Sequence, residues 1–192
     1  MPWDKQFDPA EVLTKAMQAF WMRGYEATSI QDLVDFTAVN RASLYATFGD
    51  KRALFLAALQ RYDAQRQARL AELERRYPPR EAVRRLFLGF IEQAITDAAP
   101  RGCFLTNTAV ELAAHDPEIA NAVARSQMEL EAFFRRMVES ARNRGEVAGG
   151  TDATQAARGL LASLLGLLVL AHSRPRKALL QSIADEALAR LE

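Results

Sequence analysis

Four helix-start signals fall within the first fifty residues, and they leave room only for short helices packed close together. Asp8 precedes Pro9, and proline suits a first helical position because the N–H it lacks would be unpaired there anyway. Val12, Leu13, Ala16, Met17 and Phe20 then recur at helical spacing until Gly24 stops the run. Thr28 or Ser29 starts a second helix carrying Ile30, Leu33 and Val34. A tight connection, Thr37–Val39, leads to Asn40, which starts a third helix holding Leu44 and Tyr45. Phe48-Gly49-Asp50 breaks that helix, and Asp50 caps a long one over about 51–77. Alternating strand patterns and Asn-Gly hairpin signals are absent, so the expected class is all-α.

Pro78-Pro79 ends the long helix, since proline cannot donate within it and restrains the residue before it. The expected organisation is a helix-turn-helix head over 1–50, a connecting helix over 51–77 and a helical body over 78–192. Helices are predicted in the body near 80–98, 104–114, 117–144, 152–172 and 176–191. Pro100-Arg101-Gly102, His115-Asp116-Pro117, Gly145 to Gly150 and Arg174-Pro175 punctuate them. With 49% hydrophobic and 26% charged residues the chain is globular rather than disordered. Its net charge of +1 means that any nucleic-acid face must be a local cluster.

The single cysteine, Cys103, rules out an intramolecular disulfide and suits a reducing, cytoplasmic setting. The Met1–Asp8 segment lacks the apolar run of a signal peptide. Leu160–Ala171 falls short of the ~20 residues that span a bilayer, so no membrane partner is expected.

The second and third helices make a helix-turn-helix: two short capped helices joined tightly, the second turned outward so that its first residues can enter a major groove. Ala42, Ser43 and Ala46 are small enough for close approach, and Arg41 offers a fork that fits guanine O6 and N7. Leu44 and Phe48 turn back onto Phe20, Ile30 and Leu33. A hairpin that merely packs would leave Tyr45, flanked by Ala42, Ser43, Ala46 and Thr47, unexplained.

This run resembles the TetR family of transcriptional regulators. The matching marks are Phe20-x-x-x-Gly24-Tyr25, Thr28-Ser29-Ile30 and Leu44-Tyr45-x-x-Phe48-x-x-Lys51-x-x-Leu54, which cover about the first 55 residues. The resemblance implies phosphate contacts from Thr28 and Ser29 at a helix N-terminus, from Tyr45 and Thr47, and from Lys51, with Arg52 in support. It implies base reading by Arg41, Ala42 and Ser43. The usual Ala-Gly of the turn is Thr37-Ala38 here, so a left-handed residue would cost ~1 kcal/mol. Asn40 replaces the usual serine cap. Asp32 and Asp35 are expected to face away from DNA.

A regulator also needs something to respond to, and the resemblance implies an apolar pocket in the body. Phe87, Phe90, Phe133 and Met137 are its expected apolar lining, and Cys103, Asn107 and Glu111 its expected polar readers. Plain core packing is the alternative for the aromatics. Asn107 and Glu111 could equally make a helix interface, and His115 reads better as part of the turn before Pro117. Cys103 follows Gly102 near Arg101 at a helix start, a setting that activates a thiol. The Gly102–Leu105, Glu111–Ala113 and Asp116-Pro117 runs resemble an electrophile-responsive subgroup of the family, although a lone cysteine is more often a small core filler.

Leu160 to Val169 is apolar all round and needs cover on every side. Leu161, Leu164, Leu165 and Leu168, with Leu180 and Ile183 of the last helix, are the expected dimer interface. The expectation is a dimeric, ligand-released DNA-binding repressor of a palindromic operator, without cofactor, metal or catalytic residues. The rival is a helical-bundle enzyme or metal protein using Glu111 and His115. It has only two histidines, and the sequence offers neither a Glu-x-x-His pair nor a phosphate loop.

Overall fold

Asp8, Ser29, Asn40 and Asp50 each accept a backbone amide through a side-chain oxygen, and each starts a helix of the head. The helices are α1 (Pro9–Arg23), α2 (Ile30–Thr37), α3 (Arg41–Phe48) and α4 (Lys51–Arg76). The body adds α5 (Pro79–Thr96), α6 (Phe104–Leu112), α7 (Pro117–Asn143), α8 (Ala153–Ser173) and α9 (Lys177–Ala189). The computed structural model describes residues 7–97, 101–189 and 191, and among these no strand occurs. Pro100 and most of the Met1–Asp8 segment lie outside the described residues, as does the last residue of the helix predicted over 80–98. The helix predicted over 104–114 ends earlier, at Leu112, because residues 113–115 turn so that Asp116 can cap α7.

Head and body share one core through α4. Phe55 packs edge-on to Phe20 at 5.1 Å, to Tyr25 at 4.9 Å and to Phe104 of α6 at 5.5 Å. Tyr62, two turns further on, meets Trp21 of α1 at 5.0 Å and Phe104 at 5.8 Å. Edge-to-face pairs of this kind each add about 0.5–1.5 kcal/mol beyond burial.

In the body, α8 packs on α7, α9, α5 and α6. Leu160, Leu164, Leu167, Leu168 and Ala171 form its buried stripe. The apolar stretch that seemed too short for a bilayer belongs to a helix of 21 residues, long and apolar enough by length and composition to cross one. Here the buried stripe is spent on neighbouring helices instead.

Candidate nucleic-acid interface

Ala38 ends α2 in the left-handed region at φ 58°, ψ 26°, the one non-glycine with positive φ among the described residues. That bend redirects the chain so that Asn40 can start α3, with its Oδ1 accepting the Ser43 amide at 2.9 Å. Leu44 is buried and Phe48 packs on the core, so one face of α3 is anchored. The opposite face presents Arg41, Ala42 and Ala46 to solvent, with Ser43, Tyr45 and Thr47 half-exposed beside them. The Arg41 guanidinium lies over the Tyr45 ring at 5.2 Å, which orients the fork along the helix. Lys51 sits 4.3 Å above the ring of Tyr25. Burial chiefly, helped by the charges of Glu26 and Asp50, raises the Tyr25 phenol above its ordinary pKa.

Two expected phosphate contacts sit differently. Thr28 is fully buried, and its hydroxyl donates to the Gly24 carbonyl at 2.6 Å, so its proton braces the loop before α2 and is not offered to a phosphate. Ser29 is exposed, but its hydroxyl and amide are both tied to the Asp32 carboxylate in a capping box. Asp32 therefore fills the anion site at this helix start rather than facing away from it, and it also pairs with Arg23. Hydrogen bonds from the Ser29 hydroxyl and amide hold the Asp32 carboxyl below its ordinary pKa. Arg52 is likewise committed, to the body. Its Nε and Nη2 donate to Asp116 at 2.9 and 3.0 Å, and Nη2 donates to Glu118 at 2.8 Å.

A family model described as "Bacterial regulatory proteins, tetR family" matches residues 12–58, and one described as "Tetracyclin repressor-like, C-terminal domain" matches residues 79–185. The chain belongs to the TetR family. It is 35% identical over 191 residues to the uncharacterized HTH-type transcriptional regulator YezE of Bacillus subtilis, covering 98% of each chain. It is 31% identical over 188 residues to the HTH-type transcriptional repressor ComR of Escherichia coli, covering 96% of this chain and 89% of that one. The structure also superposes on the TetR-family regulator CifR, solved as a cysteine mutant with 26-base-pair double-strand operator DNA. There the TM-score is 0.87 and the identity 29%, with 98% and 99% of the two chains covered. The first of the two family models covers most of the head of this TetR-family chain and the second most of its body.

The TetR-family body holds a small cavity of about 30 Å³ between α4, α5, α6, α7 and α8. Phe90 and Cys103 are among its lining residues. Leu164, Leu165 and Leu168 line it too, although the sequence pointed them at a second subunit. Leu164 and Leu168 are buried within the chain, and so is Leu180, whereas Leu161, Leu165 and Ile183 keep some exposure and Val169 is 47% exposed. Phe87, Phe133 and Met137 are buried core residues outside the cavity lining. The expected polar readers Asn107 and Glu111 are spent elsewhere. Asn107 Nδ2 donates to the Arg101 carbonyl at 2.8 Å. Glu111 accepts the Tyr25 amide at 3.2 Å and the Glu26 amide at 2.9 Å, reaching from α6 into the head.

Glu111 needs Gly24 opposite it. Gly24 has φ +80°, and a Cβ there would lie 2.9 Å from the Glu111 carboxylate. The start of α6 is fastened to the head as well: Trp21 Nε1 donates to the Gly102 carbonyl at 3.2 Å, and Arg101 lies 4.6 Å over the Trp21 ring. Arg101 pairs with Asp97 at 3.1 Å, so its charge is not directed at Cys103. The buried Cys103 sulfur instead accepts a long hydrogen bond, 3.5 Å, from Tyr62. Burial first, then the neighbouring sulfur, pushes the Tyr62 phenol well up. Among the described residues no group of three His, Cys, Asp or Glu side chains could hold a metal ion. None of these ties between α6 and the head was visible in spacing alone, because each joins residues some eighty positions apart.

Proposed function

We propose that this chain is a homodimeric transcriptional repressor that binds a palindromic operator and lets go when a small hydrophobic or electrophilic molecule enters the body. The observation that carries this is the anchored α3 helix, with its exposed first turn and the Arg41 fork laid along Tyr45. Arg41, Ala42 and Ser43 read base edges. Tyr45, Thr47 and Lys51 contact phosphates, joined by Ser29 if its capping box opens. Leu161, Leu165 and Val169 of α8 and Ile183 of α9 pack on the same residues of a second copy. Two-fold symmetry then sets the two α3 helices ~34–36 Å apart, or a multiple, for successive groove entries on one DNA face.

The cavity is the effector site. At about 30 Å³ it holds little more than one water molecule, so any organic guest must part the helices around it. α6 contributes Leu105 and Thr106, and its capping residue Cys103, to that lining and Glu111 to the head, so parting the helices changes the spacing of the two α3 helices. The guest need only bind the released spacing better than the DNA-bound one. An electrophilic guest would meet the Cys103 thiol in the cavity wall, and Cys103→Ser would then bind operator normally but ignore that compound. The protein acts in the cytoplasm as a binding protein, not an enzyme. Glu111, on which the rival enzyme reading depends, is occupied by two backbone amides.

The deciding experiment is selection of bound DNA from a random pool. A palindromic site whose binding weakens steeply with salt supports the proposal. Failure to enrich any sequence from the pool rejects it.

A further inference from the structure

α4 turns a buried stripe toward the body: Phe55, Leu59, Tyr62, Leu70 and Leu73. Arg66 falls on that stripe, four residues after Tyr62 and four before Leu70, and its side chain is only 9% exposed. A guanidinium carries five N–H donors, and here most are satisfied. Nε donates to Asp63 Oδ1 at 2.9 Å, and Nη2 reaches the Ser126 carbonyl at 3.1 Å and Glu129 Oε2 at 3.3 Å. Nη1 is buried without any hydrogen-bond partner. Arg66 also lines the cavity, with Leu70, Phe90, Cys103, Leu130 and Leu168 among its neighbours there. Arg61 Nε is unpartnered as well, but Arg61 does not border this cavity.

We infer that Nη1 of Arg66 is the polar reader of the cavity, and that the cavity takes a neutral, mostly apolar molecule offering one acceptor oxygen, such as a carbonyl. This rests on the reading of the cavity as the effector site. A buried donor without an acceptor carries an unrelieved desolvation penalty, so a guest that supplies an oxygen gains more than one that merely fills space. The charge balance decides against an anion. The Arg66 cation already faces Asp63, 2.7 Å from Nη2, and Glu129, 3.3 Å away. Ser126 donates its hydroxyl to Asp63, and Gln67 bridges Asp63 and Glu129, so both carboxylates are fixed beside the guanidinium. A carboxylate guest would bring a third negative charge to one positive one. The mostly apolar wall supplies the rest of the binding energy; of its other polar members, Ser126 is committed to Asp63, and Thr106 and Gln127 complete the lining.

The test is calorimetric titration of the full-length protein with three probes of nearly one shape: acetophenone, α-methylstyrene and benzoate. Acetophenone should bind about 10-fold more tightly than α-methylstyrene, the size of effect one hydrogen bond to a charged donor gives, and benzoate should bind weakest. In Arg66→Lys the ammonium stays with Asp63 and has no second arm to spare. The preference for acetophenone should then shrink to within about 2-fold while α-methylstyrene binds as before. An Asp63→Asn/Arg66→Met double variant removes the buried ion pair together and leaves only the half-exposed Glu129 carboxylate, still held by Gln67; it should behave the same way and covers the case in which Arg66→Lys does not fold.

Equal binding of acetophenone and α-methylstyrene overturns the Arg66 assignment but leaves the effector site standing. That result would mean that Nη1 keeps a resident water. A preference that survives in both variants also overturns it. Tightest binding by benzoate overturns the charge argument. No binding of acetophenone or α-methylstyrene, in protein that still binds DNA, overturns both the assignment and the effector site.

Discussion

Ala38 is the residue whose backbone the fold strains most openly. Held at φ 58°, it sits in a region that costs a side-chain-bearing residue about 1 kcal/mol, so Ala38→Gly should stabilise the protein by roughly 0.5–1 kcal/mol in urea unfolding. Arg41→Ala should relax base preference at one operator position by ~1–3 kcal/mol, and unchanged preference in a selection experiment would remove Arg41 from the base-reading set. Tyr45→Phe should weaken all DNA sequences alike. The left-handed turn came only from the family resemblance, because alanine itself carries no such signal, whereas the Asn40 cap could be read from residue identity, since it depends on a neighbour three positions away. Thr28 could not, because a threonine beside a helix start can brace the preceding loop or offer its hydroxyl outward, and only burial decides. Arg66 left a signal that the apolar pattern invites one to overlook: a charged residue at the regular spacing of Phe55, Leu59, Tyr62, Leu70 and Leu73. Helical periodicity reports which residues share a stripe but not that one of them is charged for a reason.

At the scale of elements, α6 does most of the joining. Its first turn touches the cavity and its last turn reaches the head through Glu111. Glu111→Ala should leave the Tyr25 and Glu26 amides to water, at a cost of about 1 kcal/mol, and speed hydrogen exchange across residues 24–28. Gly24→Ala should produce the same loosening from the other side, since its Cβ would press on the carboxylate and its φ would be strained. If either variant leaves exchange there unchanged, α6 does not hold the head. Helix starts were well marked in the sequence because caps are local. The faces of α8 were not, because a helix apolar all round gives no period from which to separate the stripe inside the chain from the one left outside. Leu164 and Leu168 went inward and Val169 stayed out, and nothing short of the packing of α7 and α9 sorts them.

For the whole molecule, two predictions concern assembly and acid. Leu161→Glu combined with Ile183→Glu should convert a dimer to monomers in light scattering and abolish high-affinity operator binding. A variant that stays dimeric would move the interface elsewhere. The second prediction follows from the Arg52–Asp116–Glu118 tie between head and body. The Arg52 hydrogen bond, then the Ile119 amide, lowers the Asp116 pKa below its ordinary value of ~3.9, so the unfolded chain binds that proton more readily. The stabilisation is therefore complete above about pH 4 and is lost as pH falls through the lower folded value. Urea unfolding across pH 7 to 3 should show a steeper acid decline for the wild type than for Arg52→Gln.

The position of α6 has one more consequence, which concerns the traffic of free energy between two ligands. A helix of nine residues, about 13 Å long, is too short to bend, so what disturbs one end is felt at the other. Coupling of this kind runs equally in both directions. Whatever factor a guest in the cavity takes from the affinity for operator, the operator must take from the affinity for that guest. Under the proposed function, copies seated on DNA are then the poorest receptors in the cell, and the signal is gathered first by the unbound copies.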